Sequence, residues 1–197
     1  MCHTTIHRFW FNQIDESGHI PDTTARRWFV KDADFDHEIT HRFSVLHRQA
    51  ISGSLDHWAE TIRGRLCLIL VLDQFSRNMY RNSAKAFASD AKALALTKQG
   101  LESRHDLALS ANERAFFYLP LEHSESQQDQ ITSVTCFTRL ARNAPVNAAR
   151  MSSYLDYARR HQDIINRFGR FPHRNQVLGR ASTPEEQAYL AQPGSGF

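Results

Sequence analysis

The sequence predicts an all-α protein that folds as one domain. Apolar residues recur at helical spacing along most of the chain, and no segment shows the sustained apolar/polar alternation of a strand. Helix-capping signals separate the helical segments. The 197 residues, of which 41% are hydrophobic and 23% charged, have the size and composition of one globular domain. We therefore expect a single helical domain over residues 1–197, with a loose tail at 193–196.

Several helical segments are predicted in the first half of the chain. They are residues 5–12, a short segment that ends at 28–29, residues 34–50 and residues 62–80. A loop through residues 17–21 separates the first two. Asp34 is expected to cap the third segment and Gly53 to end it. The middle of the fourth is apolar on all sides, which is typical of a helix buried at the centre of a fold.

The second half of the chain predicts further helices. They cover residues 89–96, 110–120, 126–142 and 147–168 and a short last helix that begins at 183. Two of them open on a Ser/Thr-x-x-Glu capping box, at Ser110 and at Thr183. Gly100 is expected to end the helix that begins at residue 89, and Pro120 to stop or kink the one that begins at 110. Gly169 is expected to provide a left-handed stop for the helix over residues 147–168.

Arginine outnumbers lysine by 20 to 4, and the chain also has 11 histidines. The planar guanidinium group binds carboxylates and phosphates and stacks on aromatic rings, so this bias indicates internal ion-pair networks or an anion site. The formal net charge is only +3, and basic residues are interspersed with acidic ones. Because the strands of common RNA-binding modules are also missing from the pattern, we expect no nucleic-acid partner.

The apolar runs and the cysteines indicate the compartment. The longest apolar run, residues 66–72, is much shorter than the roughly 20 residues that cross a bilayer, and residues 1–11 lack the apolar core of a signal peptide. Cys2, Cys67 and Cys136 are widely spaced and predict neither a disulfide framework nor a zinc site. We therefore expect a cytoplasmic protein with no membrane partner, metal or cofactor. The pattern does not indicate which oligomeric state the protein has.

The predicted central helix carries the first candidate site. At about 100° per residue, polar side chains near its two ends share one broad face. These residues are Arg63, Gln74, Arg77, Asn78 and Arg81. Asp73 precedes Arg77 by four residues and is expected to bond to it along the helix. Two interpretations remain open, namely polar groups that satisfy one another and an anion-binding pocket lined by guanidinium and amide groups.

The second candidate site lies just past Pro120. Glu122, Glu125 and Asp129 are expected to share one helical face as an acidic patch, with His123 next to them in sequence. Such a patch near several arginines is typical of ion pairs. The alternative is a carboxylate or histidine that acts as a general base or a metal ligand.

The third candidate site combines His161 with the loop that follows Gly169. His161 lies on the inward face of its helix, where it is either a satisfied core residue or a functional one. The loop packs basic and amide side chains beside Phe171, and compact loops of this kind often carry function. Stacking for structure alone is the alternative. The polar residues of the loop are Arg170, His173, Arg174 and Asn175.

A His-Glu-Ile-Thr-His match to the HExxH motif of zinc proteases occurs at residues 37–41. Both histidines point away from the apolar stripe of their helix, which includes Phe35 and Ile39, so we expect them to face solvent. A catalytic zinc needs a third protein ligand and a sheltered cleft. We therefore interpret the motif as a chance match.

Six motifs together resemble a known family. They are FWF at 9–11, RGRLCLILVLDQFSRN at 63–78, AFASD at 86–90, FFYLPLEHSE at 116–125, RFGRFPHRN at 167–175 and LGRASTPEE at 178–186. They extend over nearly the whole chain and are similar to those of domain-of-unknown-function family 924, which is found mainly in bacteria. The resemblance implies an antiparallel array of helices of the tetratricopeptide-like kind. The family has no settled activity, so no catalytic role follows from it, and it usually has proline where this chain has Ser76.

Three functions remain open for the polar residues of these motifs. The first is a pocket, lined by arginine, histidine and glutamate, that binds a small anionic ligand or an acidic peptide end. The second is a hydrolase in which His123 or His161 acts as the base, Glu122 or Glu125 orients it, and arginines stabilise developing negative charge. The third is a purely structural polar core without a ligand.

Overall fold

The computed structural model describes residues 2–12, 14, 18–144 and 146–196, and their regular elements are helices. The helices are α1 (His3–Phe11), α2 (Asp22–Arg26), α3 (Ala33–Ser52), α4 (Ile62–Leu70, Val71–Phe75 and Ser76–Met79 in one continuous run), α5 (Asp90–Glu102), α6 (Ala111–Glu122), α7 (Gln127–Asn143), α8 (Ala148–Phe168) and α9 (Pro184–Leu190). Short 3-10 segments lie at Asp56–Glu60, Ala84–Phe87, His105–Ala108 and Pro172–Arg174. The all-α prediction is confirmed.

α4 lies at the centre of the fold, because its first half is apolar on every side. Residues 66–72 are buried, and α4 contacts α1, α3, α5 and α6. The main apolar core extends from Ile6 in α1 to Ala158 in α8. Aromatic rings fill one part of it, where the centroids of Trp10 and Phe116 are 5.4 Å apart. The prediction of a buried central helix is confirmed.

The helices from α5 to α8 pack in chain order. α6 contacts α5, α7 contacts α6, and α8 contacts both α7 and α6. This packing is compatible with the expected helical array. A second, smaller apolar cluster joins Ile164 and Ile165 of α8 to Phe171, and it anchors the loop that follows α8 to that helix.

Most predicted helix ends are confirmed. Ser110 and Thr183 form capping boxes at the starts of α6 and α9. Gly53 and Gly169 end α3 and α8 in the left-handed conformation, with φ of 89° and 69°. The Cβ of another residue would strain the backbone at these two φ values.

The expected cap of α3 is wrong by two residues. The Asp32 carboxylate accepts hydrogen bonds from the backbone N–H groups of Asp34 and Phe35, at 3.0 and 3.1 Å. Asp32 is therefore the N-cap, and Asp34 lies in the first turn. Both aspartates are chemically suited to a helix start, so the sequence pattern does not distinguish between them.

Two expected helix stops are also wrong. Gly100 lies inside α5, where an added Cβ would come within 2.4 Å of the Phe117 ring and 2.7 Å of the Arg65 side chain. The glycine therefore serves close helix packing rather than termination. Pro120 lies inside α6, which continues to Glu122, so it does not stop the helix, and the alternative of a kink stays a prediction. The packing of this buried helix outweighs the loss of the one backbone hydrogen bond that a proline removes.

The predicted loop at 17–21 lies partly outside the described residues, since residue 17, like residues 13, 15 and 16, is not among them. The tail at 193–196 has no regular structure, and its Ser195 hydroxyl donates to the carbonyl oxygen of Leu190 at 3.1 Å. Among the described residues, no helix combines the length and apolar character needed to cross a membrane.

Candidate functional site

Three segments that are distant in sequence meet beside the second half of α4. They are the π-helical turn of α4 at Val71–Phe75, the residues after α6 and the loop after α8. His123 bonds to Asp73 of the turn, and the Glu125 carboxylate accepts a hydrogen bond from the backbone N–H of Phe171 at 2.8 Å. π-helical turns recur at functional sites. We call Asp73, Arg77, Asp90, His123 and Arg174 the inner cluster.

Asp73 and His123 form a dyad in the inner cluster. The distance between His123 Nδ1 and Asp73 Oδ1 is 2.7 Å. Burial would raise the pKa of the Asp73 carboxyl, but Arg77 and His123 outweigh burial and hold that pKa well below its usual range. Because the ionised carboxylate accepts, Nδ1 of His123 carries the proton.

The His123 ring is therefore held as a neutral base. Burial lowers its pKa, and the charge of Arg77 lowers it further despite the Asp73 carboxylate. The proton on Nδ1 leaves Nε2 as the acceptor nitrogen. The side chain is 14% exposed, and Nε2 makes no hydrogen bond with any residue that the structure describes. His123 thus offers a solvent-accessible acceptor in a fixed orientation.

Arg77 lies between two carboxylates. Its guanidinium group makes a bidentate pair with Asp90 at 2.8 and 3.0 Å, and its Nη1 is 3.0 Å from Asp73 Oδ1. The expected bond between Asp73 and Arg77 along the helix is therefore present. Gln74 donates to the second Asp73 oxygen at 2.6 Å. Arg77 and His123 therefore contact the same Asp73 oxygen, and Gln74 holds the other.

Glu122 and His161 form a second buried pair behind His123. His161 Nδ1 donates to the carbonyl oxygen of Tyr157 at 2.9 Å and lies 3.3 Å from Glu122 Oε1. Burial, with the Asp73 carboxylate nearby, raises the pKa of Glu122 to about 8. Burial lowers the pKa of His161. Both groups are therefore neutral at pH 7, and the inward position predicted for His161 is confirmed.

Arg174 differs from the other arginines of the site. Its guanidinium carbon lies 4.4 Å from the centroid of the Phe171 ring and 4.7 Å from that of Phe87. Its nearest carboxylate oxygen, on Asp90, is 3.8 Å from Nη1. The residue is 6% exposed, and its side chain makes no hydrogen bond with any described residue. Burial, aided by Arg77, lowers its pKa to about 10, so it remains charged at pH 7.

His173 lies next to Arg174 and has the character of a neutral base. Its ring centroid is 5.6 Å from that of Phe171. Burial and the Arg174 charge lower its pKa to about 4. The inner cluster therefore combines an incompletely bonded cation with the neutral His123, and His173 is a second neutral histidine next to Arg174.

A second group of polar residues fastens the loop after α8 to α9. We call Glu125, Arg170, Asn175, Arg180 and Glu186 the C-terminal cluster. Arg170 makes a bidentate pair with Glu186 at 2.6 and 2.8 Å, and Arg180 makes one with Glu125 at 2.8 and 3.0 Å. Asn175 donates to Glu186 at 3.2 Å and accepts from Arg180 at 2.9 Å. These contacts indicate a structural role, which is to fix the loop after α8 in place.

Three residues predicted for the central-helix site make no side-chain bond to either cluster. Asn78 and Arg81 donate to Asp36 of α3, with distances of 2.7 Å for Asn78 Nδ2 and 2.9 Å for Arg81 Nη2. Arg63 is exposed at the start of α4 and bonds to no described residue. The π-helical turn at Val71–Phe75 interrupts the expected face between Arg63 and Arg77, and Arg81 lies beyond Met79, the last residue of α4.

The predicted acidic patch does not form as a helical face. α6 ends at Glu122 and α7 begins after Ser126, so Glu122, Glu125 and Asp129 lie on three different segments. Asp129 pairs with Lys98 at 2.6 Å. The ion-pair interpretation therefore holds for Glu125 and Asp129, and it fails for Glu122, whose partner is His161.

The HExxH histidines, His37 and His41, are exposed as expected, with ring centroids 6.4 Å apart. Glu38 between them pairs with Arg42 at 2.7 Å. Among the described residues, no group of three or more histidine, cysteine, aspartate or glutamate side chains is arranged to hold a metal ion.

Comparison with known proteins identifies the family. Residues 6–194 match a family described as bacterial proteins of unknown function, DUF924. The chain belongs to the DUF924 family. It is also similar to a solved protein of unknown function, ATU0120 from Agrobacterium tumefaciens, with 36% identity, a TM-score of 0.83 and 96% of each chain covered. No curated protein matches the chain.

In this DUF924 protein, the residues that sequence reasoning missed are ion-pair partners supplied from outside the central helix. Asp90, the first residue of α5, binds Arg77. Arg180 binds Glu125, which was expected to orient a histidine. The AFASD motif contained Asp90, but helical periodicity within α4 could not place a residue of α5 against it. The residue that orients His123 is Asp73, not Glu122 or Glu125.

This DUF924 chain has Ser76 at the position where the family usually has proline. The Ser76 hydroxyl lies 2.6 Å from His47 Nε2, 2.8 Å from the Ser89 hydroxyl and 2.7 Å from the Leu72 carbonyl oxygen. The π-helical turn is nevertheless present at Val71–Phe75. The turn that presents Asp73 to His123 therefore does not depend on proline.

Proposed function

We propose that this DUF924 protein binds a small anionic ligand, a carboxylate or phosphate, at the inner cluster. The observation that carries the proposal is the buried Arg174 guanidinium group, which makes no hydrogen bond with a described residue. A buried polar group without partners costs roughly 1–3 kcal/mol, and more when it is charged. A ligand oxygen in the guanidinium plane would satisfy these donors.

The two phenyl rings define how such a ligand approaches. Phe87 and Phe171 lie over Arg174 at 4.7 and 4.4 Å, and stacking fixes the orientation of a guanidinium group. Acceptors then meet the edge of the group, where parallel N–H donors match a carboxylate or phosphate. An acidic peptide end presents the same chemistry.

Charge balance predicts that binding takes up a proton. The carboxylates of Asp73 and Asp90 balance the cations of Arg77 and Arg174, so an added anion leaves the cluster with excess negative charge. His123 is the neighbouring neutral base. Its protonation would restore the balance, so affinity for acetate should increase by up to tenfold per pH unit as pH falls from 8 to 6.5.

The test is a titration with acetate, inorganic phosphate and a short acidic peptide, followed by calorimetry and by melting temperature. A ligand at 100 times its Kd should stabilise the protein by about 2.7 kcal/mol, which is a shift of roughly 5–10 °C. Arg174→Met should abolish the shift, whereas the matched control Arg63→Met should retain it. Equal shifts in both variants, or no binding by any of the three probes, would overturn the proposal.

A second candidate function is hydrolysis, and the Asp73–His123 dyad favours it. In serine hydrolases a carboxylate holds the imidazole by Nδ1–H so that Nε2 meets the reacting group, and the 2.7 Å contact has this arrangement. No serine or cysteine side chain of the described residues bonds to His123 Nε2, so water is the nucleophile in this hypothesis. His123 would take a proton from that water while Arg174 stabilises the negative charge.

Hydrolysis of p-nitrophenyl acetate and p-nitrophenyl phosphate tests this second candidate. His123→Gln should lower the rate at least about 100-fold, whereas His57→Gln, at an exposed histidine, should not change it. Because the pKa of His123 is lowered, the rate should begin to fall at a lower pH than the ordinary histidine pKa would predict. Hydrolysis that is insensitive to His123→Gln, or undetectable with both substrates, would rule the dyad out as the catalytic group for these ester classes.

A further inference from the structure

A polar cavity lies between α1 and the first half of α3. Its volume is about 570 Å³, within the range of small-molecule sites. It is lined by Cys2, Thr4, Thr5, Arg8, Phe9, Asn12, Arg27, Glu38 and Arg42. None of these residues belongs to the inner cluster or the C-terminal cluster. We call this cavity the α1–α3 cleft.

The α1–α3 cleft has an excess of positive charge. Three guanidinium groups line it, against the single carboxylate of Glu38. Arg42 Nη1 bonds to Glu38 at 2.7 Å, whereas the closest approach of Arg27 to Glu38 is 3.6 Å. Arg8 is exposed and makes no hydrogen bond or ion pair with any residue that the structure describes. Most of the guanidinium donors in the cleft are therefore unused, and its formal charge is +2.

Two of these arginines are held in fixed orientations by aromatic rings. The guanidinium carbon of Arg27 lies 4.3 Å from the centroid of Phe35, and that of Arg42 lies 4.6 Å from Phe9. Stacked guanidinium groups lose less freedom when they bind a ligand. The half-buried Phe9 ring also gives the cleft an apolar wall, which suits an organic molecule better than a bare ion.

The N-terminus of α1 adds a weaker positive potential to the α1–α3 cleft. Cys2 is the N-cap, its side chain makes no capping bond, and the first turn of this described helix has no acidic residue. The N–H groups at this end are therefore not neutralised from within the helix. This feature supports the arginines and would not define a site without them.

We propose that the α1–α3 cleft binds a small organic dianion, through carboxylate or phosphate-ester oxygens that contact Arg8, Arg27 and Arg42. Two negative charges match the formal charge of the cleft, and the Phe9 wall contacts the carbon skeleton between them. Succinate and glycerol 2-phosphate are suitable probes, since they present the two kinds of anionic group on a short carbon chain.

Cys2 provides the readout, because its thiol lines the cleft and is exposed, whereas Cys67 is buried and Cys136 half-buried. The experiment measures by mass spectrometry how fast uncharged iodoacetamide alkylates each cysteine. We expect either probe, or both, to slow alkylation of Cys2 in a saturable way and to leave Cys136 unaffected. Protection by succinate alone assigns carboxylates, and protection by glycerol 2-phosphate alone assigns phosphate esters.

Matched variants separate binding from general charge effects. Arg8→Gln should raise the concentration of probe needed for half-protection about tenfold, the effect of losing one good charged contact. Arg48→Gln removes the same charge from an exposed position of α3 outside the cleft and should leave protection unchanged. Arg27→Gln is a second variant with the same expectation as Arg8→Gln.

Three results would overturn this proposal. They are no protection of Cys2, equal protection in Arg8→Gln and Arg48→Gln, and protection reproduced by sodium chloride at the same ionic strength. Arg174→Met should leave Cys2 protection intact, because that residue lies in the inner cluster. The proposal for the cleft and the proposal for the inner cluster can therefore fail independently.

Discussion

The inner cluster and the C-terminal cluster place the same kinds of side chain together, but they differ in how completely their arginines are hydrogen-bonded. Arg170 and Arg180 each make a bidentate pair with a carboxylate and a further bond to a backbone oxygen. Arg174 makes no hydrogen bond with a described residue. An arginine with several hydrogen bonds can hold a loop in place. A cation that is incompletely hydrogen-bonded contributes little to the stability of the fold.

The Asp73 carboxylate and the Arg180–Glu125 pair differ in burial as well. The side chain of Asp73 is 1% exposed, whereas those of Glu125 and Arg180 are 30% and 24% exposed. Solvent weakens the Arg180–Glu125 pair and lowers the cost of breaking it. In the inner cluster, the loss of Asp73 takes one of two carboxylates from the charged Arg77 in a dry environment. The difference predicts that the two clusters respond unequally to matched substitutions.

The largest effect is expected for Asp73→Ala in the inner cluster. The change removes the acceptor of His123 and Gln74 and one of the two carboxylates beside Arg77. Breaking a buried pair in this way should lower the free energy of unfolding by about 3–5 kcal/mol, measured by urea denaturation. Asp163→Ala, at an exposed position of α8, should change it by less than about 0.5 kcal/mol. A small loss for Asp73→Ala would mean that the inner cluster is not held by its carboxylates.

An effect of similar size is expected from pH, through Glu122. Its folded-state pKa of about 8 lies above its ordinary value of 4.5, so the unfolded chain releases this proton at lower pH than the folded one. The contribution of Glu122 to stability is therefore complete below about pH 4.5 and is lost as pH rises towards 8, at about 1.4 kcal/mol per pH unit.

Glu122→Gln isolates this contribution. The glutamine cannot ionise, so its free energy of unfolding relative to the native chain should increase with pH between 5 and 8. The control Glu185→Gln changes an exposed glutamate of α9 and should give a difference that is flat over the same range. A flat difference for Glu122→Gln would show that Glu122 is already ionised in the folded protein.

Much of the fold follows from local patterns, and the site follows only in part. The capping boxes at Ser110 and Thr183 and the left-handed Gly169 depend on residues within one turn of the helix end, so the sequence is sufficient to locate them. Gly100 and Pro120 were misread because the packing of neighbouring helices decides their role.

The partners of charged residues are equally non-local. His123 bonds to a carboxylate 50 residues earlier in the chain, and Arg180 bonds to one 55 residues earlier. Periodicity places side chains on a helix face, and it cannot specify which face of another helix meets them. The π-helical turn at Val71–Phe75 lies between Arg63 and Arg77, and α4 ends at Met79, so Arg81 lies beyond the helix and bonds to Asp36. Sequence reasoning therefore identified the polar residues and mispaired several of them.

The smallest effect is expected for Arg174→Met, and its comparison with Arg180→Met tests the contrast between the clusters directly. Arg180→Met removes a bidentate partner of Glu125 and should lower the free energy of unfolding by about 1–2 kcal/mol, a value reduced by solvent exposure. Arg174→Met replaces a buried cation with an apolar side chain that can keep the contacts with Phe87 and Phe171. Asp90 keeps its bidentate bond to Arg77, so no carboxylate is left unpaired. Stability should therefore stay within about 1 kcal/mol of the native value or increase. If urea denaturation instead shows that Arg174→Met is the more damaging of the two, then Arg174 is a structural residue, and the incomplete bonding on which the contrast rests has no functional meaning.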